Sequence, residues 1–137
     1  MHPDICQFPS RMFYSGRLLT SKTKEFSPFP VERYAVFDLT SSQEEKGRPG
    51  CPNSMFNPEE AEWVVKLYNH LSRLLPTKKI GIATPYKAQL ECIEDLLCQR
   101  NGIMPRNVLV KSIDAFQGDE ADIIIMSCVR SQVKAKA

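Results

Sequence analysis

Apolar positions in this chain recur at two spacings, and the alternation between them predicts the order of its elements. Ala61, Val64, Val65, Tyr68, Leu71 and Leu75 follow steps of three and four, which puts them on one face of a helix. Glu62, Lys66 and Arg73 fall on the opposite, solvated face. Asn57 supplies a cap, Pro58 takes the first helical position, Glu60 stands where a capping-box carboxylate reaches back, and Pro76 ends the run. Thr84 and Pro85 repeat the cap-then-proline start for a second helix that carries Leu90, Ile93, Leu96 and Leu97 and stops before Gly102.

Between these helices lie short continuous apolar runs. Ile80–Ala83, Val108–Val110 and Ile123–Met126 read as buried strands, and Tyr34–Leu39 as a fourth. Strands without polar alternation suit a sheet covered by helices on both faces, so an α/β fold with a parallel sheet is expected. Residues 4–14 predict a short helix with Ile5, Phe8, Met12 and Phe13 turned inward, interrupted by Pro9. Residues 41–52, with Gly47, Pro49, Gly50 and Pro52 among charged neighbours, read as a mobile loop.

At 137 residues the chain is expected to be one domain around one core. Eighteen basic residues against sixteen acidic ones leave a net charge of only +2, so any contact with nucleic acid must be local rather than a broad basic surface. Five cysteines form no C-x-x-C pair and there are two histidines, so a zinc site is not expected and the cysteines read as free thiols. A reducing cytoplasmic or nuclear setting follows. The longest apolar run is too short to span a bilayer, so no membrane partner is expected.

The stretch richest in candidate chemistry is Ser112 to Glu120, a polar loop with Gly118 between two apolar strands. Loops at strand ends in α/β proteins bring backbone N–H groups up to phosphates and riboses. By itself Gly118 is equally explained by a positive-φ turn, and Asp114 by backbone bonding within it. Ser112 can likewise bond nearby backbone.

Read together with Ile80–Gln89 and with Met1–Ser10 followed by Phe13–Gly16, the loop resembles the second RecA-like domain of superfamily I helicases, in the branch of senataxin and the up-frameshift helicase. The resemblance covers nearly the whole chain. It implies a RecA-like, P-loop NTPase-type sheet flanked by helices, truncated at both ends, over residues 1–131, with residues 132–137 as an unpacked tail.

It further implies that Gln117, Gly118 and Glu120 meet ATP, with Glu120 on the ribose, where an ionised acid accepts strongly from a hydroxyl. Ser112, Thr84, Pro85, Tyr86 and Gln89 would meet a single strand of RNA or DNA, the tyrosine packing on sugar or base. Thr84 is equally a helix cap. Asn57 and Glu60 have counterparts in relatives that the cap accounts for. Basic residues that flank the acid in up-frameshift relatives are replaced here by Asp119 and Ala121, and Arg130 matches a family arginine.

ATP hydrolysis needs a phosphate loop with lysine, a magnesium-holding acid and cationic groups around the γ-phosphate. The chain contains no G-x-x-x-x-G-K-[ST] and no apolar strand ending in Asp-Glu. Mg2+ would therefore be held by the missing first RecA-like domain, which is the expected partner, and the chain alone is expected to be inactive. The alternative is a non-catalytic RecA-like module that binds a protein.

Overall fold

The computed structural model describes residues 1–20 and 30–130. The expected tail at 132–137 lies outside the described residues. Two compact units are present, Met1–Asp38 and Leu39–Ala137.

In the first unit, α1 spans Pro3–Phe13, starting on His2, whose Nδ1 accepts from the Asp4 N–H at 3.2 Å. The helix expected at 4–14 is present, but its inward face is not the one the apolar residues suggested. Cys6 and Ser10 are buried, their side chains directed at the Leu18 carbonyl, while Ile5, Phe8, Met12 and Phe13 are exposed. The segment Tyr34–Leu39 forms no strand; Tyr34, Val36 and Phe37 are exposed. An apolar run becomes a strand only when it pairs with a neighbour, and residue type alone does not supply the ladder.

The second unit holds the sheet. A hairpin comes first, β1 (Glu45–Arg48) antiparallel to β2 (Cys51–Phe56). Its two-residue turn is Pro49-Gly50, with Gly50 at φ +85°, as a proline followed by a left-handed glycine requires. A register irregularity between Lys46 and Arg48 falls on Gly47, at φ +88°. These residues, expected to be a mobile loop, are instead ordered by side-chain ties. Arg48 pairs with Asp95 at 2.7 Å and lies 5.5 Å from the Phe56 ring, and the Cys51 thiol donates to Glu91. That hydrogen bond raises the Cys51 thiol above its ordinary pKa.

Next come α2 (Pro58–Leu74), β3 (Ile80–Thr84), α3 (Lys87–Asn101), β4 (Val108–Ser112), a 3-10 turn at Asp114–Phe116, and β5 (Ile123–Met126). The three strands are parallel in the order β4-β3-β5. Ala61, Val64, Val65, Tyr68 and Leu71 of α2 are buried with Ala88, Cys92, Ile93 and Leu97 of α3, and with Ile80 and Ile82 of β3. Tyr68 also ties the end of the core, donating to Asn107 just ahead of β4 at 2.5 Å.

Gly81 of β3 shows what the link from β4 to β5 lays against the other face of the sheet. A Cβ at Gly81 would stand 2.5 Å from the Phe116 ring and 2.8 Å from Ile124 Cδ1, so the link from β4 to β5 crosses that face with Phe116 pressed on bare backbone. The direction of travel reverses between β3→β4 and β4→β5, and right-handed crossovers then require opposite faces. Ile124 and Met126 remain exposed beside it. The α/β class and the parallel sheet flanked by helices stand as expected.

Candidate functional site

Parallel pairing fixes what stands at the carboxyl edge of the sheet. Thr84 pairs with Ser112, the Ile113 N–H donates to the Thr84 carbonyl at 3.2 Å, and the Ser127 N–H donates to the Ala83 carbonyl at 2.9 Å. Two strands thus end in hydroxyl residues and a third hydroxyl, Ser127, directly follows β5, all at one rim. In open α/β sheets this rim is where ligands bind.

The side chains at the rim differ in what they can reach. Thr84 is buried, and its Oγ1 accepts from the Tyr86 N–H at 3.4 Å. That hydroxyl therefore closes a local turn. The expected helix start at Pro85 is displaced: α3 begins at Lys87, and the Ala88 N–H donates to Ser54 of β2 at 3.1 Å. Pro85 is exposed and Tyr86 half-buried. Ser112 Oγ accepts from the Ala115 N–H at 3.2 Å, so it, rather than the Asp114 side chain, stabilises the turn after β4.

Gln117, Gly118, Asp119 and Glu120 are all exposed. Gly118 has φ +87°, and nothing lies within 4 Å of where its Cβ would be, which leaves its backbone open to close approach. Lys111 of β4 holds the turn from behind by pairing with Asp119 at 2.5 Å. That bond lowers the Asp119 carboxyl below its ordinary range. The turn sits on the connection from β4 to β5, tied through Asp119 to Lys111, whose strand partner is Ala83, next to Thr84.

Gln89 lies elsewhere in the chemistry than its sequence position suggested. It is fully buried, its Oε1 accepts from the Asn57 N–H at 2.8 Å, and its Nε2 donates to Ser127 Oγ at 3.0 Å. Ser127 in turn donates to Glu60 Oε1 at 2.6 Å, and the same oxygen accepts the Val129 N–H at 3.0 Å. Asn57 completes the cluster: Oδ1 accepts from the Glu60 N–H at 3.0 Å, while Nδ2 donates to Ser42 Oγ at 2.9 Å and to the Val129 carbonyl at 3.3 Å.

Only half of the expected capping box therefore forms. The Glu60 carboxylate does not return to the Asn57 N–H, because Gln89 occupies that donor and Glu60 is drawn to the end of β5. Glu60 was read from the sequence only as a capping-box residue, and Ser127 was not singled out. A serine directly after an apolar strand, together with a polar residue in the first turn of a neighbouring helix, is the only signal that hinted at them.

A family model described as an AAA domain matches residues 1–137. The chain belongs to this family. Relatives of the AAA domain chain include helicase sen1 of Schizosaccharomyces pombe, 34% identical over 98% of this chain and 8% of the relative. The regulator of nonsense transcripts 1 homolog of Drosophila melanogaster is 37% identical over 96% of this chain and 12% of its own length. The ATP-dependent helicase upf1 of Schizosaccharomyces pombe is likewise 37% identical over 96% of this chain and 15% of its own length. This AAA domain thus spans under a fifth of those relatives, and it is similar throughout to a superfamily I, up-frameshift/senataxin-like helicase domain.

The residues present suit part of a nucleotide site. Gly118 offers open backbone, and exposed Gln117 and Glu120 offer an amide and a carboxylate to hydroxyls or phosphate edges. Among the described residues no group of three His, Cys, Asp or Glu is placed to hold a metal ion, and no described helix is long and apolar enough to cross a membrane.

Proposed function

We propose that this chain is the second RecA-like motor half of an ATP-dependent helicase or translocase acting on single-stranded RNA or DNA in the cytoplasm or nucleus. The observation that carries the reading is the convergence of Thr84, Ser112 and Ser127 on one strand-end rim, with the exposed Gln117–Glu120 turn on the connection that leaves it. Glu120, Gly118 and Gln117 serve ATP, and Mg2+ is held by a first RecA-like domain. Ser112, Pro85 and Tyr86 face the strand. Thr84 and Gln89, being buried, act on it by holding the backbone of the loops that do.

ATP when bound supplies the phosphoryl chemistry. This chain contributes binding and orientation, and it lacks the phosphate loop for turnover by itself. Joining it to an up-frameshift-type first domain should yield strand-stimulated ATP hydrolysis. Glu120→Ala in that fusion should raise the KM for ATP about tenfold, in line with loss of a charge-assisted hydrogen bond. A fusion without turnover, or a Glu120→Ala fusion with unchanged kinetics, would sink the assignment.

A second reading, a non-catalytic module that binds a protein partner, draws support from the exposed Ile5, Phe8, Met12 and Phe13 of α1. Polar substitution of those four side chains that abolished cellular activity, with Glu120→Ala silent, would favour it.

A further inference from the structure

The segment after β5 contains an unusual backbone. Val129 is β-branched and fully buried, yet its φ is +67°, in the left-handed region that such residues avoid. The Arg130 N–H donates to the Cys128 carbonyl at 2.7 Å, closing a three-residue turn around Val129. Turns of this kind with positive φ are rare and strained. Strain of this sort persists only where the surroundings over-determine it.

Both peptide groups of Val129 are held by the first turn of α2. Its N–H is taken by Glu60 Oε1 at 3.0 Å and its carbonyl by Asn57 Nδ2 at 3.3 Å. Neither bond is needed to start the helix, since Asn57 Oδ1 already caps the Glu60 N–H. Glu60 Oε1 is itself fixed by Ser127, and Ser127 by Gln89. The chain of bonds therefore runs from α3 through α2 to a single strained residue. The next residue, Arg130, is exposed.

We infer that Glu60, assisted by Asn57, is a positioning residue for Arg130: it clamps Val129 in a left-handed turn and so sets the direction in which the guanidinium leaves the strand-end rim. What Arg130 meets there, a phosphate of the bound strand, rests on the function proposed above; the clamp itself does not. A guanidinium forms paired hydrogen bonds with phosphate only from a fixed direction, so a swing of its backbone removes the contact. Without the clamp, Val129 relaxes to negative φ.

The test uses the 137-residue chain and four variants, Glu60→Gln, Glu60→Asp, Glu60→Ala and Arg130→Ala, with a labelled single-stranded oligonucleotide. NMR reports the clamp through the strong intraresidue amide-to-Hα cross-peak that positive φ produces at Val129. Glu60→Gln keeps the acceptor at the same reach and should keep the peak and the affinity. Glu60→Asp keeps the charge but withdraws the oxygen, and it should behave like Glu60→Ala, losing the peak and about tenfold in affinity, as Arg130→Ala does.

Combining Glu60→Ala with Arg130→Ala should cost no more than either change alone. A positive-φ peak that survives in both Glu60→Ala and Glu60→Asp overturns the inference, as does a double variant whose losses multiply. An unmodified chain that binds no oligonucleotide counts against the proposed function, and the clamp is then decided by the Val129 peak.

Discussion

Lys111 shows how one side chain arranges a candidate site. Its ammonium pairs with Asp119 at 2.5 Å, and this hydrogen bond holds the Asp119 carboxyl below its ordinary range. A carboxyl with a lowered folded-state pKa adds stability that is present above its unfolded value, near 3.9 for aspartate, and is lost as pH falls through the folded value. Replacing Lys111 by Met should move the Asp119 carboxyl-carbon titration up toward the ordinary range and remove that acid-side dependence of Tm. An unmoved titration would mean another group holds Asp119. The pairing is invisible in sequence because Lys111 and Asp119 lie on either side of a turn whose direction only the fold sets. Gly81 is similar: it was read only as part of an apolar strand, and the Phe116 ring against its backbone came from the crossover. Gly81→Ala should destabilise the chain by about 1–3 kcal/mol through overpacking, and Phe116→Leu should recover part of it; urea unfolding of the single and double variants reads both.

At the scale of elements, α2 was legible almost residue by residue. Its cap, its proline and its buried stripe are all local, and local interactions are what a sequence displays directly. The three strands of the parallel sheet were legible for a related reason, since continuous apolar runs have few other fates. Asn57 carries more than a cap, however. Its backbone N–H serves Gln89 and its amide serves Ser42 and Val129, all inside the protein. Asn57→Ala should therefore cost about 2–4 kcal/mol, above the roughly 1 kcal/mol of a lost cap, because buried partners are left unsatisfied. Chemical denaturation measures the difference, and a loss confined to about 1 kcal/mol would show that the buried bonds add little. Residues 45–52 of the hairpin were misread as part of a loop over 41–52. The hairpin's order comes from Arg48–Asp95, Cys51–Glu91 and Ser54–Ala88, contacts with a helix more than thirty residues away in sequence.

For the whole molecule, charge limits how it can hold a strand. A net charge of +2 and a site built from hydroxyls, one tyrosine and one arginine provide few ionic phosphate contacts. The slope of log affinity against log salt for a single strand is about −0.7 per neutralised phosphate. Binding by this chain should therefore show a shallow slope of about −1 to −2, measured by fluorescence anisotropy over a salt series. A slope near −5 would point to a basic surface that the residues named here do not make.

The local code settled which residues start and stop α2, which runs become the three parallel strands, and where an exposed glycine turn separates two of them. Those outcomes depend on neighbours within a few positions, so they are written in the order of residues. The tertiary structure alone decided that Gln89 and Thr84 point inward, that Glu60 abandons its own helix start for Val129, and that Tyr34–Leu39 stays outside the sheet. Each of those is a competition among distant partners for one donor, one acceptor or one strand edge, and only the folded arrangement brings the competitors together.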